Sequence, residues 1–328
     1  MSTFRVGIIG TGGNGNGHLV RISKMEGVEI AALCDIDKRK VEECATKYGG
    51  RAYTNHEEML DKESLDALFI SIPPFAHTNQ ELLAAEKNIP FLVEKPVALS
   101  LEKAKEVERK IKERNLVTSV GYQLRYMDIV QEAKKLVEKE KIALTIGQYF
   151  GEVPGGTRVN NWLIKRGLSG GQVVEQATHI IDLMRFFVGE IKRVDARYFK
   201  GLISNRAPHY EVEDASSSLL EFENGVVGSL SCTWLMKGFN VGLQMIGDGL
   251  NINICSFGSL VVERTDEKKQ YEAKNDPQYD QDRAFLEAVK MNDPSLILSD
   301  YSNGLRTLAV TMAISESAEK MKPIEVNY

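Results

Sequence analysis

The sequence has little of what marks secreted, membrane or nucleic-acid-binding proteins. Its 328 residues include only four cysteines and carry a formal net charge of −5. That balance offers no electrostatic footprint for nucleic acid or an acidic membrane. No C-x-x-C pair occurs, which favours free thiols in a reducing compartment. The cysteines are Cys34, Cys44, Cys232 and Cys255.

Long apolar runs are also missing, so no segment is expected to cross a bilayer. The first strand-like run, Phe4–Ile9, starts almost at Met1, and no signal-peptide pattern precedes it. We therefore expect a soluble, cytoplasmic protein. No metal site is expected either, because the histidines share no ligand spacing with cysteine or carboxylate. They are His18, His56, His77, His179 and His209.

A chain of 328 residues is long enough for two domains. Over residues 1–122, short apolar runs alternate with helical patterns, which predicts a doubly wound parallel sheet of the Rossmann type. The predicted strands are 6–9, 30–34, 67–71, 90–94 and 117–120. The predicted helices are 19–25, 38–48, 78–86 and 101–114, the last of them ended by Asn115.

The pattern changes after residue 122, and residues 123–328 predict an α+β domain with a large, mostly antiparallel open sheet. Asn224-Gly225 and Asp248-Gly249 each separate two strand-like runs and predict tight hairpins. A single helix is expected over about Gln172–Val188. The predicted strands are 144–150, 194–199, 217–222, 226–232, 241–246 and 251–254. Further predicted helices are 129–139, 280–290 and 300–320. The helix over 300–320 is a candidate to pack back on the Rossmann domain.

A glycine-rich loop follows the first strand and predicts a dinucleotide site. Gly10, Gly12 and Gly15 form a G-x-G-x-x-G whose glycines allow a tight turn, close approach of a pyrophosphate, and close helix packing. Backbone N–H groups at the next helix start would hold the phosphates. The predicted cofactor-binding residues of this loop are Gly10, Thr11, Gly12, Gly13, Asn14 and Gly15.

Asp35 ends the second strand, 20 residues after Gly15, which is the spacing of a ribose-binding carboxylate. A carboxylate accepts hydrogen bonds from the ribose 2′-OH and repels a 2′-phosphate, which favours NAD as the cofactor. Lys38 and Arg39 lie close enough in sequence to serve a phosphate, so NADP remains open.

Four further segments, in order along nearly the whole chain, carry a resemblance to a known family. They are Ser71-Ile72-Pro73-Pro74-Phe75-Ala76-His77, Glu94-Lys95-Pro96, Val120-Gly121-Tyr122-Gln123-Leu124-Arg125-Tyr126, and Gly170-Gly171 followed by Glu175 and His179. Together they resemble the Gfo/Idh/MocA family of glucose–fructose oxidoreductase, inositol dehydrogenase and their relatives. The resemblance implies an NAD(P)-dependent oxidoreductase but specifies no substrate. It adds Ser71, Pro73, His77, Glu94, Lys95 and Gln123 to the predicted cofactor contacts.

Lys95 is the first candidate catalytic residue. It follows a parallel strand at the carboxyl end, where open α/β sheets bind ligands, and its ammonium can stabilise developing alkoxide charge. Pro96 biases Lys95 towards an extended backbone, and the Lys95–Pro96 bond is open to a cis form. The alternative interpretation is a surface lysine paired with Glu94.

His179 and Glu175 are the second and third candidates. At i and i+4 of one helix they would share a face, with Asp182 near it. Histidine is a natural proton acceptor near neutral pH, and a carboxylate one turn away would orient it or bind a hydroxyl. The family's usual residue at the position of Glu175 is Asp, which puts a proton-relay role for Glu175 in question. A histidine simply hydrogen-bonded in a packed helix is the alternative.

Three residues complete the predictions. Arg158 and Trp162 precede the catalytic helix and are predicted, with Lys95, Glu175 and His179, to contact a sugar. A Trp that only anchors a loop is the alternative. His77 either caps the helix after the fourth strand or touches the cofactor.

These residues predict hydride transfer between nicotinamide and a carbinol or carbonyl carbon of a sugar, polyol or cyclitol. Lys95 and His179, from separate domains, are expected to meet over the same nicotinamide ring. Two alternatives are a glycosidase that retains NAD and oxidises transiently, and a non-catalytic NAD(P)-binding sensor. By analogy with the family, the open sheet is expected to form a homo-oligomer, a dimer or tetramer.

Overall fold

Six parallel strands form the first sheet, in the order β3-β2-β1-β4-β5-β6. The order reverses beside β1, as in doubly wound folds, and confirms the predicted Rossmann-type sheet. The strand β3 was not predicted, because it is only three residues long and lies at the sheet edge. The strands are β1 (Phe4–Ile9), β2 (Val28–Cys34), β3 (Arg51–Tyr53), β4 (Ala67–Ile70), β5 (Phe91–Val93) and β6 (Thr118–Val120).

Five helices alternate with these strands, and side chains cap three of them. Asp37 accepts from the Lys40 N–H, Asn55 caps the third helix, and Ser100 caps the fifth. Asn115 ends the fifth helix in the left-handed conformation, as predicted. The helices are α1 (Gly13–Ile22), α2 (Lys38–Tyr48), α3 (His56–Lys62), α4 (Gln80–Glu86) and α5 (Leu101–Arg114).

A nine-stranded sheet forms in the second part of the chain, in the order β14-β13-β12-β11-β7-β10-β9-β8-β15. Strands β7 and β10 pair in parallel and the other pairs are antiparallel, which confirms the predicted mostly antiparallel sheet. Both predicted hairpins form, joining β9 to β10 and β11 to β12. The strands are β7 (Ile142–Glu152), β8 (Ile191–Phe199), β9 (Ala215–Phe222), β10 (Val227–Thr233), β11 (Leu235–Gly247), β12 (Leu250–Cys255), β13 (Ser259–Arg264), β14 (Glu267–Glu272) and β15 (Ile324–Glu325).

The prediction of a single helix over Gln172–Val188 is wrong, because the helix is interrupted at Gln176 and Ala177. Gln176 stays in the right-handed helical region but is distorted to φ −112° and ψ −53°, and its side-chain oxygen accepts a hydrogen bond from the Trp234 indole at 2.9 Å. That tertiary contact holds the break. The helices here are α6 (Asp128–Val137), α7 (Arg166–Ser169), α8 (Gln172–Glu175) and α9 (Thr178–Val188).

The computed structural model describes residues 3–328, and the chain divides into two units. The first comprises the chain up to Gly121 with Gln278–Gly304, and the second comprises Tyr122–Pro277 with Leu305–Tyr328. The sequence instead suggested one boundary at residue 122. Residues 278–304 group with the first unit because Phe285 and Leu286 of α10 (Pro277–Met291) are buried in its core.

The last helix, α11 (Tyr301–Lys320), begins with residues of the first unit and continues with residues of the second. Among the helices of residues 3–328, none combines the length and the apolar character that crossing a membrane requires.

Candidate active site

The glycine-rich loop joins β1 to α1 and leaves bare backbone beside open space. Gly10 has φ +91°, and a Cβ there would lie 2.1 Å from the Ser71 carbonyl oxygen. A Cβ on Gly15 would lie 1.8 Å from the Gly10 carbonyl oxygen, so both positions require glycine. A Cβ on Gly12 or Gly13, in contrast, would meet nothing within 4 Å. The open side therefore fits a pyrophosphate approaching the start of α1.

Asp35 is held beside this loop by three hydrogen bonds. Its Oδ2 accepts from the Thr11 backbone N–H at 2.8 Å and from the Thr11 hydroxyl at 2.9 Å, while Oδ1 accepts from the Asp37 N–H at 2.9 Å. The carboxylate remains partly exposed. Its fixed position next to the loop fits a dinucleotide ribose.

The other loop residues and the segment after β4 surround this end of the sheet. Asn14 is exposed in the first turn of α1, and Ser71 is buried against Gly10. Pro73 precedes a short 3₁₀ turn at Pro74–Ala76.

His77 turns inward, with 7% of its side chain exposed. Its Nδ1 lies 2.5 Å from Glu81 Oε1, and its Nε2 lies 3.4 Å from the Ile72 carbonyl oxygen. Burial disfavours the charged ring, but Glu81 outweighs burial and raises the pKa of His77. The helix-cap interpretation is wrong, since α4 begins after Asn79. A cofactor contact of His77 stays a prediction.

Glu94 and Lys95 directly follow β5, and the Lys95–Pro96 peptide bond is cis. Both side chains are partly buried. The Glu94 N–H donates to the Ile70 carbonyl oxygen at 2.9 Å, which fixes this segment at the end of β4. Lys95 is therefore placed at the carboxyl edge of the parallel sheet, as the sequence predicted.

His18 was not among the predicted site residues, but it contacts Glu94. Its Nε2 lies 3.3 Å from Glu94 Oε1, and its Nδ1 lies 2.9 Å from each carboxylate oxygen of Asp282. Arg21 donates from Nε to Asp282 Oδ2 at 2.6 Å. Asp282 is 264 residues away in sequence, so no local pattern could reveal this cluster.

In the second unit, Glu175 and His179 lie on different helices, α8 and α9. The predicted i, i+4 pair therefore spans two successive helices rather than one continuous helix. His179 is partly exposed, and its ring meets the Tyr122 ring edge-on at 5.9 Å. The Tyr122 hydroxyl is 2.8 Å from the Thr178 hydroxyl, which anchors the first turn of α9 beside His179.

Glu175 is buried near Tyr149 of β7. Burial, and then the Glu175 charge, raise the pKa of Tyr149. The Gly170-Gly171 pair allows α8 to start here, because a Cβ on Gly171 would lie 2.7 Å from Glu213 Oε2. Glu213 in turn accepts from the Gln172 N–H at 2.9 Å.

Asp182, predicted to lie near the face of Glu175 and His179, binds Arg125 instead. Arg125 donates to it through Nε and Nη2, both at 2.7 Å, and the two side chains are only 3% and 1% exposed. Thr307 adds a hydrogen bond to Asp182 at 3.2 Å. This buried, bidentate pair is structural, because its oxygens already have partners.

The remaining predicted contacts lie on loops of the second unit. Arg158 is exposed, Trp162 is partly exposed at a 3₁₀ turn, and Gln123 is partly exposed in another. Asn161 holds the loop by donating to the carbonyl oxygens of Pro154 and Gly156, each at 2.7 Å. Within residues 3–328, no group of three or more His, Cys, Asp or Glu is arranged to hold a metal ion.

The sheet, the loop and Asp35 define a dinucleotide-binding protein of the Rossmann class. Residues 4–122 match the model of the oxidoreductase family with an NAD-binding Rossmann fold, and residues 130–252 match the Gfo/Idh/MocA C-terminal domain. The chain belongs to the Gfo/Idh/MocA family, which confirms the resemblance. It is an NAD-dependent oxidoreductase.

Individual relatives agree with this assignment. Inositol 2-dehydrogenase of Rubrobacter xylanophilus is 25% identical, over 79% of this chain and 73% of that protein. The scyllo-inositol 2-dehydrogenase (NAD(+)) of Bacillus subtilis is 26% identical, over 74% and 71%. A solved levoglucosan dehydrogenase, in complex with NADH and levoglucosan, superposes with a TM-score of 0.89 at 20% identity, covering 99% of this chain and all of that one (100%).

Proposed function

We propose that this protein is a dehydrogenase that oxidises a hydroxyl-bearing carbon of a sugar, polyol or cyclitol with NAD. The observation that carries the proposal is the loop with open backbone at Gly12 and Gly13 beside the fixed carboxylate of Asp35. The substrate class rests on the relatives named inositol 2-dehydrogenase and on the likeness to levoglucosan dehydrogenase.

The first unit supplies most of the proposed cofactor contacts and the lysine that stabilises the substrate oxygen. Bound NAD supplies the hydride acceptor at nicotinamide C4. We propose that Gly10–Gly15 hold the pyrophosphate, that Asp35 binds the adenosine ribose, and that Ser71, Pro73, His77, Glu94 and Gln123 line the rest of the cofactor. Lys95 donates a hydrogen bond to the substrate oxygen and stabilises the negative charge that develops on it.

The second unit supplies the base. We propose that His179 accepts the hydroxyl proton while the carbon gives up its hydride, so the substrate loses two electrons and two hydrogens in total. Glu175 binds a neighbouring hydroxyl, as do Arg158 and Trp162, rather than relaying the proton. The break between α8 and α9 supports this division, because it removes the fixed helical spacing between Glu175 and His179.

The decisive experiment follows reduced-nicotinamide absorbance with a panel of sugars, polyols and cyclitols. We expect net reduction of NAD with at least one of them. Hydrolysis of an aryl glycoside without net reduction would instead identify a glycosidase that retains NAD. Cofactor binding with neither reaction would identify a sensor, and either result would refute the dehydrogenase.

The substitution Lys95→Ala tests whether Lys95 stabilises charge on the substrate oxygen. We expect NADH affinity near that of the wild type and a loss of about 10²–10³-fold in kcat, as for other oxyanion-stabilising groups. Lys87→Ala is the matched control, because Lys87 pairs with Asp61 at 2.7 Å on the surface. Unchanged turnover in Lys95→Ala would remove Lys95 from the mechanism.

We also propose that the open face of the nine-stranded sheet forms a homo-oligomer. One register row across this face carries no charge from β9 to β14; it runs Leu219, Ser229, Ile146, Gln244, Asn253, Val261 and Gln270. An uncharged row with exposed apolar side chains suits a protein interface.

Leu219→Asp tests the interface, because Leu219 is 66% exposed on that row. We expect this charge to shift the molecular mass measured by light scattering towards the monomer. Met321→Asp, at a site 73% exposed and outside the sheet, is the control. A wild-type mass equal to one chain would contradict the proposal.

We propose, finally, that the protein works in the cytoplasm. The four cysteines are free, and Cys34 and Cys232 are buried, which suits a reducing compartment. Cell fractionation with an antibody to the chain tests the location.

A further inference from the structure

A buried histidine joins three segments of the first unit, and the mechanism above does not use it. His18 lies on α1 and is 1% exposed. Its Nδ1 faces Asp282 on α10, and its Nε2 faces Glu94 at the end of β5. A neutral imidazole has one N–H, so donation to both carboxylates requires the imidazolium.

The two carboxylates beside the ring favour that form, and the Arg21 cation beside Nδ1 opposes it. Asp282 and Glu94 face its two nitrogens, and the Arg21 guanidinium lies 3.1 Å from Nδ1 while binding Asp282. Burial opposes the charge, but the two carboxylates prevail and raise the pKa of His18 to about 9. The ring also packs on Phe69, with centroids 5.0 Å apart. Near neutral pH, His18 therefore gives Glu94 a charge-assisted hydrogen bond.

Glu94 is confined from its other side as well. A Cβ on Gly121 would lie 2.7 Å from Glu94 Oε2, so the carboxylate fills the space that this glycine leaves. The backbone of Glu94 is tied to Ile70. The carboxylate next to Lys95 is thus contacted by His18 and lies close to Gly121.

We propose that His18 is a positioning residue: oriented by Asp282, it holds the Glu94 carboxylate in the orientation that the cofactor site needs. This inference rests on the proposed function and deepens it, because Glu94 is one of the proposed cofactor contacts. It also gives residues 278–304 a role in the site, through Asp282 on α10.

A double-mutant cycle tests the proposal on wild type, His18→Gln, Glu94→Gln and the double variant. The readouts are the Kd of NADH, from fluorescence titration, and kcat and KM separately. We expect His18→Gln to weaken NADH binding or lower kcat about tenfold or more when Glu94 is present, since misplaced groups cost that much. In the Glu94→Gln background the same change should have an effect of less than about twofold.

Two design choices keep the test sharp. His18→Gln leaves Asp282 paired with Arg21, so no buried carboxylate is orphaned. His56→Gln is the matched control, because the His56 ring contacts the neutral Asn79 side chain at 2.8 Å. If His18→Gln does not fold, Asp282→Asn takes its place in the same cycle.

An equal effect of His18→Gln in both backgrounds would show a merely structural role and overturn the proposal, as would no effect at all. The NADH cycle needs no substrate, so it separates this inference from the proposed function. If the effects of His18→Gln and Glu94→Gln on NADH affinity are coupled but no panel compound is oxidised, the positioning role is supported and the dehydrogenase is refuted. If a panel compound is oxidised but the effects of the two substitutions are additive, the dehydrogenase is supported and the positioning role is refuted.

Discussion

The His18 cluster predicts a specific dependence of stability on pH. The pKa of His18 rises from its ordinary 6.5 to about 9 in the folded chain, although burial opposes the charged form, because Asp282 and Glu94 hold it. A shift of that size corresponds to roughly 3 kcal/mol of folding free energy. Because the folded pKa is the higher one, this contribution is complete below about pH 6.5, falls as pH rises, and is lost above about pH 9.

The perturbation that isolates this contribution is His18→Gln. Many groups contribute to the pH dependence of the wild type, but the difference between wild type and variant retains mainly that of His18. We expect the difference in unfolding free energy to shrink by roughly 3 kcal/mol between about pH 6 and about pH 10. Urea unfolding followed by circular dichroism measures it, and added NADH identifies the transition of the unit that binds the cofactor.

A difference that does not change with pH would refute the reasoning, because it would mean that His18 binds no extra proton in the folded state. The control is His56→Gln, whose ring lies beside an amide rather than a carboxylate. This variant reports what the exchange of a histidine for glutamine does by itself to the unfolding free energy.

Two further predictions concern the loop and the buried ion pair. Gly12→Ala should fold with wild-type stability but weaken NADH binding about tenfold or more. Gly15→Ala should weaken NADH binding and also lose roughly 1–3 kcal/mol of stability, because a Cβ at position 15 meets backbone and a Cβ at position 12 does not. Equal stabilities of the two variants would contradict this. Asp182→Asn should cost roughly 3–5 kcal/mol, since it breaks a buried pair, while Asp195→Asn, in a partly exposed pair, should cost about 1 kcal/mol or less. Thermal and urea unfolding measure these differences, and an unaltered Asp182→Asn would contradict the structural role.

Much of the first sheet is predictable from sequence because its signals are local. Buried parallel strands such as Ala67–Ile70 read as continuous apolar runs, and the glycine loop follows one directly. The hairpins at residues 224–225 and 248–249 depend only on their own turn residues. These features need no knowledge of distant parts of the chain.

Features set by tertiary contacts were missed. The strands β13 and β14 lie near a sheet edge, and β14 is largely exposed and rich in charge, so it lacks an apolar strand pattern. The helix break at Gln176 depends on Trp234, which is 58 residues away. The grouping of residues 278–304 with the first unit depends on Phe285 and Asp282, whose partners lie near the start of the chain.

The interruption of the helix after Glu175 also bears on the effect of having Glu at this position, where the family usually has Asp. In a continuous helix, the carboxylate would sit one turn from His179, and the extra methylene of Glu would overshoot it. In the structure, α8 ends at Glu175, whose buried side chain lies near Tyr149. The distance to His179 is no longer fixed by helix geometry. On the proposed function, we expect the longer side chain to change where a substrate hydroxyl is held, and so to alter specificity rather than proton transfer.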